Sequence, residues 1–195
     1  MSIRIDNFQR GLMDYPKAGW RKRMSKAPLQ LWRLGLGPLL GQYLLILTHK
    51  GRKSGRIYHT MVEYHRLNGN IYIPCAYGPQ SDWYQNINAH PMVTVQTSKG
   101  SESMQAARVT NDQEILDVFS LFQRRDPPLT NLYLRTLDIE PNPDDVLEHK
   151  DKIYWIRLTP ADDPALLPLE ADLAWIWLVT AAFLFAILSL GRKIK

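Results

Sequence analysis

The residues best equipped for chemistry lie in one short run, Gly51-Arg52-Lys53-Ser54-Gly55-Arg56. The two glycines permit a tight turn with its backbone N–H groups presented outward. Arg52, Lys53 and Arg56 add positive charge and Ser54 adds a hydroxyl donor, which together make a phosphate cradle. A solvated basic turn has the same composition, so composition alone leaves both readings open. The run is not a nucleotide P-loop, which needs Gly-x-x-x-x-Gly-Lys-Ser/Thr. Gly35-Leu36-Gly37 likewise misses the dinucleotide fingerprint, because Gly41 falls one residue late.

Asp82-Trp83-Tyr84-Gln85-Asn86 sets two large aromatics among polar groups on one short segment, suited to walling a planar ligand or to simple packing. Tyr77, Tyr84 and Tyr133 could line a pocket and hydrogen-bond a substrate. The five histidines (49, 59, 65, 90 and 149) form no metal-ligand spacing, so no metal is expected. The single cysteine, Cys75, rules out a disulfide framework or a CxxC pair and reads as a small buried hydrophobe. No GxSxG elbow is present.

Hairpins must position these residues. Tyr43–Thr48 reads as a buried strand and the basic turn leads into a second, Tyr58–Arg66. Asn68-Gly69 then signals a type I′ turn into Ile71–Ala76, where Pro74 implies an edge or a bulge. Ser81 is placed to cap a helix that stops before Pro91. Met92–Thr97 and Glu102–Thr110 form another hairpin. Asp112–Arg125 is an amphipathic helix, a helix-like stretch Leu129–Leu137 follows, and after a loop around Pro141 and Pro143 comes a strand, Lys152–Thr159. Antiparallel strands with a few helices argue a mainly β, α+β fold: a small barrel with helical cover.

Charge is unevenly spread over the 195 residues. The net is +5, but residues 1–56 hold twelve Lys/Arg against two acids, a net of +10 that leaves −5 for the rest. A local anion site or a membrane-facing patch fits this better than a nucleic-acid surface. At the other end Leu173–Leu190 is eighteen residues without charge, followed by Arg192, Lys193 and Lys195. It is expected to be a single-pass transmembrane anchor, with Trp175 and Trp177 at one interface. The organisation is therefore a basic segment (1–27), a barrel domain (28–160), a linker (161–172) and the anchor (173–190). The opening residues show no signal-peptide pattern, which favours a cell-membrane protein with a cytoplasmic domain.

Taken together, LLGQYLLILTHKGRKSGRIYHTMVEY, NGNIYIPCAYG and SDWYQNINAHPMVTVQ resemble the deazaflavin-dependent nitroreductase family. Its pattern is a buried strand, Thr-x-x-Gly-Arg-Lys-Ser/Thr-Gly, a hairpin, and a Trp-Tyr-x-Asn helix before a proline. Order and spacing match across about residues 28–110. The resemblance implies a flavin-binding split β-barrel that holds coenzyme F420, a 5-deazaflavin with a phosphate and a glutamate tail. It implies that Arg52, Lys53 and Ser54 meet the phosphate, that Arg56 also binds the cofactor, and that Tyr58, His59, Thr60 and Met61 run beside the ring. Ala76 and Tyr77 would lie near the ring, and Trp83, Tyr84 and Asn86 would shape the wall. The chain departs from the family in its short uncharged loop Gly78-Pro79-Gln80-Ser81, in Tyr58 and His59, and in Ala76.

The function expected is hydride transfer from reduced F420 to a hydrophobic acceptor such as a quinone or nitro compound. Tyr133 is the expected substrate contact, and the proton would come from Tyr133, His59 or solvent. The alternatives are a carrier of flavin, deazaflavin or a lipophilic ligand without turnover, and an FMN enzyme of the same fold. A homodimer is expected.

Overall fold

The computed structural model describes residues 27–163 and 166–193. The basic segment expected over 1–27 therefore lies, but for Ala27, outside the described residues. Ala27–Leu31 (α1) runs into a wide turn, Trp32–Leu36, and then Gly37–Leu40 (α2). This path breaks at Gly35, whose φ of 86° is a left-handed conformation that only glycine adopts freely.

Seven antiparallel strands follow: β1 Leu44–Lys50, β2 Ile57–Glu63, β3 His65–Leu67, β4 Asn70–Pro74, β5 Met92–Thr97, β6 Gly100–Arg108 and β7 Trp155–Pro160. Their order in the sheet is β2-β1-β5-β6-β7-β4-β3. The two outermost strands are consecutive in sequence, separated only by Tyr64, and β2 comes against β4. A sheet whose two ends are one stretch of chain must curl back on itself, so this one forms a barrel left open at β2, which comes against β4 without a strand pairing.

Side-chain alternation decides which residues go inside. Leu45, Leu47, Ile71, Ile73, Val93, Val95, Met104, Ala106, Ile156 and Leu158 fill the interior. From the opposite face of β4 and β7, Tyr72 and Trp155 pack under three helices: α4 Asp112–Arg125, α5 Pro127–Thr136 and α6 Pro143–Glu148. Ile115, Val118, Phe119 and Phe122 of α4 face that layer, the stripe their spacing predicts. Asn68 (φ 49°) and Gly69 (φ 81°) make the expected tight turn between β3 and β4. Pro74 pairs with Trp155 of β7, while β3 reaches only Tyr72, so the proline's missing N–H falls where no strand needs it.

Three expectations are corrected. Ser81 sits at the start of α3 (Asp82–Ala89), but its hydroxyl is buried rather than capping the helix. The loop around Pro143 contains α6, with Pro143 in its first turn and Asn142 Oδ1 accepting from Asp145 N at 2.9 Å.

The third correction concerns the C-terminal segment. Among the described residues no helix is long and apolar enough to cross a membrane. The final helix, α7 (Ile176–Lys193), starts three residues later than expected and ends on Arg192 and Lys193. Its uncharged part, 176–191, spans about 24 Å, short of a hydrocarbon core of about 30 Å. The preceding residues are held by the turn after α1 instead. Arg33 donates to both Asp172 carboxylate oxygens (2.7 and 2.6 Å) and Leu173 N donates to Arg33 O (3.0 Å), while Trp177 Nε1, in the first turn of α7, donates to Leu34 O (2.7 Å). The described part of the linker also lies down: Gln96 exchanges two hydrogen bonds with the Leu169 backbone, and Thr94 donates to Leu166 O.

Candidate functional site: a cavity along the open edge of the barrel

The basic run closes as a compact turn between β1 and β2. Gly51 N donates to Arg56 O and Gly55 N to Gly51 O, both at 2.8 Å. Gly51 is required by space, because a Cβ there would stand 2.5 Å from the Tyr58 ring and 2.8 Å from Ser54 Oγ. Ser54 Oγ shares a hydrogen bond with Tyr58 OH at 3.1 Å.

Beside the turn opens a cavity of about 650 Å³. Its walls include Arg52, Lys53, Ser54, Tyr58, His59, Thr60, Met61, Ala76, Tyr77, Trp83 and Asn86. Five consecutive residues, Tyr58 to Val62, border it although their side chains alternate in direction. A cavity can touch both faces of a strand only by running along its edge, and β2 is the outermost strand of the sheet order.

Three expected residues lie elsewhere. Arg56 is not on the cavity wall. Tyr84 packs edge-on against Tyr154, with ring centroids 5.2 Å apart, and the pair is half-buried against the barrel core. Tyr133 is 5% exposed, and its OH accepts from Tyr154 N at 3.0 Å. It borders a separate void of about 30 Å³ with Phe122, Thr130 and Trp155. Burial raises its hydroxyl pKa, so Tyr133 is a structural acceptor and a poor proton source.

Sequence reasoning missed Leu29, His49, Val62, Pro74 and Asp82 on this wall. His49 matters most. It continues the inward-facing row of Leu45 and Leu47 on β1, so it is 2% exposed and stacks on Tyr58 with centroids 6.0 Å apart. Burial, helped by nearby His59 and opposed by Asp82, lowers its pKa to about 4. A histidine in an otherwise apolar buried strand must be hydrogen-bonded, and that was the available signal. Its ring contacts Thr60 Oγ1 and Asn86 Nδ2, each at 3.2 Å. Asn86 Oδ1 in turn accepts from Arg52 N (3.1 Å) and from the Arg52 guanidinium (3.0 Å). The same guanidinium meets Asp82 at 3.3 Å. On the other face Thr48 Oγ1 bonds His59 Nδ1 at 2.9 Å, and burial lowers the His59 pKa as well.

The cavity wall thus combines two chemistries. Arg52, Lys53 and the glycine turn give its wall a cationic part, with Asp82 paired to Arg52, and Leu29, Met61, Val62, Ala76 and Trp83 give it an apolar part. A phosphate fits the first and a planar ring the second, and the volume lies within the roughly 300–1,000 Å³ of small-molecule sites. A bulkier residue at 51 would fill the turn's hollow.

No curated protein matches the sequence. The solved structure of an F420-H2 dependent reductase (FDR-A) aligns at 18% identity with a TM-score of 0.46, over 60% of this chain and 93% of that one. HutZ, a heme storage protein of Vibrio cholerae, aligns at 13% identity and 0.45, over 69% and 94%. A chain described as a domain-swapped dimer aligns at 18% and 0.43, over 68% and 99%. A family model described as F420H(2)-dependent quinone reductase matches residues 33–136, which carry β1 to β6, the basic turn and nearly all of the cavity wall. That match spans more than half of the chain, and the protein therefore belongs to the F420H2-dependent quinone reductase family, as an F420H2-dependent oxidoreductase whose cofactor is coenzyme F420.

Proposed function

We propose that the protein reduces a hydrophobic acceptor, a quinone or a nitro compound, with F420 held in the cavity along β2. The observation that carries this reading is a single cavity wall that combines the cationic Arg52 and Lys53 with the apolar Met61, Val62, Ala76 and Trp83. Arg52, Lys53 and the N–H groups of the turn would hold the phosphate, and β2 with Ala76 and Tyr77 would flank the ring. When bound in reduced form, the cofactor supplies a hydride. The chain's own contribution is to orient ring and acceptor and to exclude water. With Tyr133 outside the cavity, the proton that completes reduction would come from His59 or from solvent.

An acceptor that partitions into lipid fits the C-terminal helix. Leu178, Val179, Phe183, Leu184 and Phe185 are each more than half exposed, an apolar surface that favours a bilayer over water. In this reading α7 attaches the protein to the cell membrane with the barrel on the cytoplasmic side.

The test is oxidation of F420H2 by the full chain with a naphthoquinone or a nitroaromatic, followed by the return of F420 fluorescence. Turnover with either acceptor supports the reading, and F420 binding without turnover of any acceptor overturns it. Flotation with lipid vesicles, with and without the residues after 172, tests attachment. Equal flotation of the two forms removes α7 from that role.

A further inference from the structure

The hydrogen bonds around His49 have a direction, and Arg52 sets it. Its backbone N–H and its guanidinium are donors without acceptor capacity, and both converge on Asn86 Oδ1. The amide is thereby fixed with its NH₂ toward His49 Nδ1. A donor requires an acceptor, so Nδ1 is bare and the single ring proton sits on Nε2. Nε2–H then donates to Thr60 Oγ1. The Thr60 hydroxyl, already accepting, keeps its own O–H for an acceptor, and Thr60 lines the cavity. The charged and titratable groups around the imidazole are His59 and Tyr58 from β2, Asp82 from α3, and Arg52 through Asn86. Its lowered pKa keeps the ring neutral at pH 7.

We propose that Arg52, Asn86, His49 and Thr60 form a hydrogen-bond chain of fixed polarity, which makes Thr60 a donor to an acceptor atom of the bound deazaflavin ring. The inference rests on the reading of the cavity as the F420 site. Thr60 is then a cofactor contact, and His49 and Asn86 are positioning residues. The phosphate turn and the ring strand are set by one imidazole, whose tautomer is dictated from the phosphate end.

Two readouts on the full chain test it. The first needs no cofactor: long-range ¹⁵N–¹H correlation of the histidine rings, with the His49 signals identified by their loss in His49→Gln. The wild type is expected to carry its proton on Nε2. Asn86→Asp, whose side chain only accepts, is expected to move that proton to Nδ1. A wild-type ring protonated on Nδ1 overturns the chain's polarity.

The second readout is F420 affinity by fluorescence titration. Thr60→Val is expected to weaken binding about tenfold, and Thr60→Ser, which restores the hydroxyl, to bind as the wild type does. Thr60→Ala replaces valine if the branched side chain disturbs β2. Wild-type affinity in the hydroxyl-free variants overturns the donor role. A wild-type chain that binds no F420 overturns the reading of the cavity and with it the target of Thr60. The tautomer spectrum then still decides the chain's polarity.

Discussion

Pro74 separates two spaces lined by similar residues. On one side lies the cavity of about 650 Å³ along β2, with Tyr58, Tyr77, Trp83 and Thr60 in its wall. On the other lies a void of about 30 Å³ bordered by Tyr133, Trp155, Phe122 and Thr130, room for about one water. Aromatic rings and hydroxyls are present in both. They differ in cover: α4 and α5 lie over the second, whereas β2 is the outermost strand and is flanked at the cavity by α1 and α3. A tyrosine or threonine becomes a site residue where a layer is missing and a packing residue where one is present. That is why Tyr133, a plausible pocket residue by type, belongs to the core.

This contrast can be broken from either side. Trp155→Ala, at a residue 1% exposed beneath the helices, should cost about 3–5 kcal/mol, read as a large fall in Tm. His49 sits on the cavity side yet should also move stability, through pH. Its pKa falls from 6.5 to about 4 on folding, so the unfolded chain binds the proton more tightly. The contribution is fully present above pH 6.5 and is lost as pH falls toward 4. It is on the order of 3 kcal/mol, and urea melts of wild type and His49→Gln across that window would reveal it as a difference in slope.

Lys53→Ala should weaken F420 binding by about 10- to 100-fold with an unchanged Tm, as expected for a surface cation facing a phosphate. A Tm that falls with the affinity would return Lys53 to a structural role. Tyr133→Phe should do the reverse. Losing the acceptor for Tyr154 N should cost about 1–3 kcal/mol of stability while kcat and KM hold. A selective loss of kcat would put Tyr133 back into the reaction. The smallest effect is at Cys75, which is 1% exposed with its thiol pushed up to about 11 by burial. It should resist thiol reagents at pH 8 until the protein unfolds.

Much of the fold was legible because local rules and tertiary demands agreed. β5 and α4 occupy the expected residues, Met92–Thr97 and Asp112–Arg125. The Asn68-Gly69 turn and the closed shape of Gly51–Arg56 follow from glycine's freedom at positive φ and at close approach. α6 carries its own signal, since Asn142-Pro143-Asp144-Asp145 is a helix start in which Pro143 opens the first turn, whereas proline in a polar stretch equally marks a loop. The C-terminal segment misled for a different reason. Hydropathy measures an uncharged run and cannot show that Arg33 holds Asp172 and Leu173 against the turn after α1, ahead of the helix.

By itself the sequence determined the antiparallel strands, the cationic turn and the family, because each depends on residues close together in the chain. Tertiary structure decided which side chains face the cavity. His49 reaches Asn86 across 37 residues, and Tyr133 reaches Tyr154 across 21. A hydroxyl or an imidazole is chemistry or packing according to what covers it, and cover comes from parts of the chain that meet only on folding.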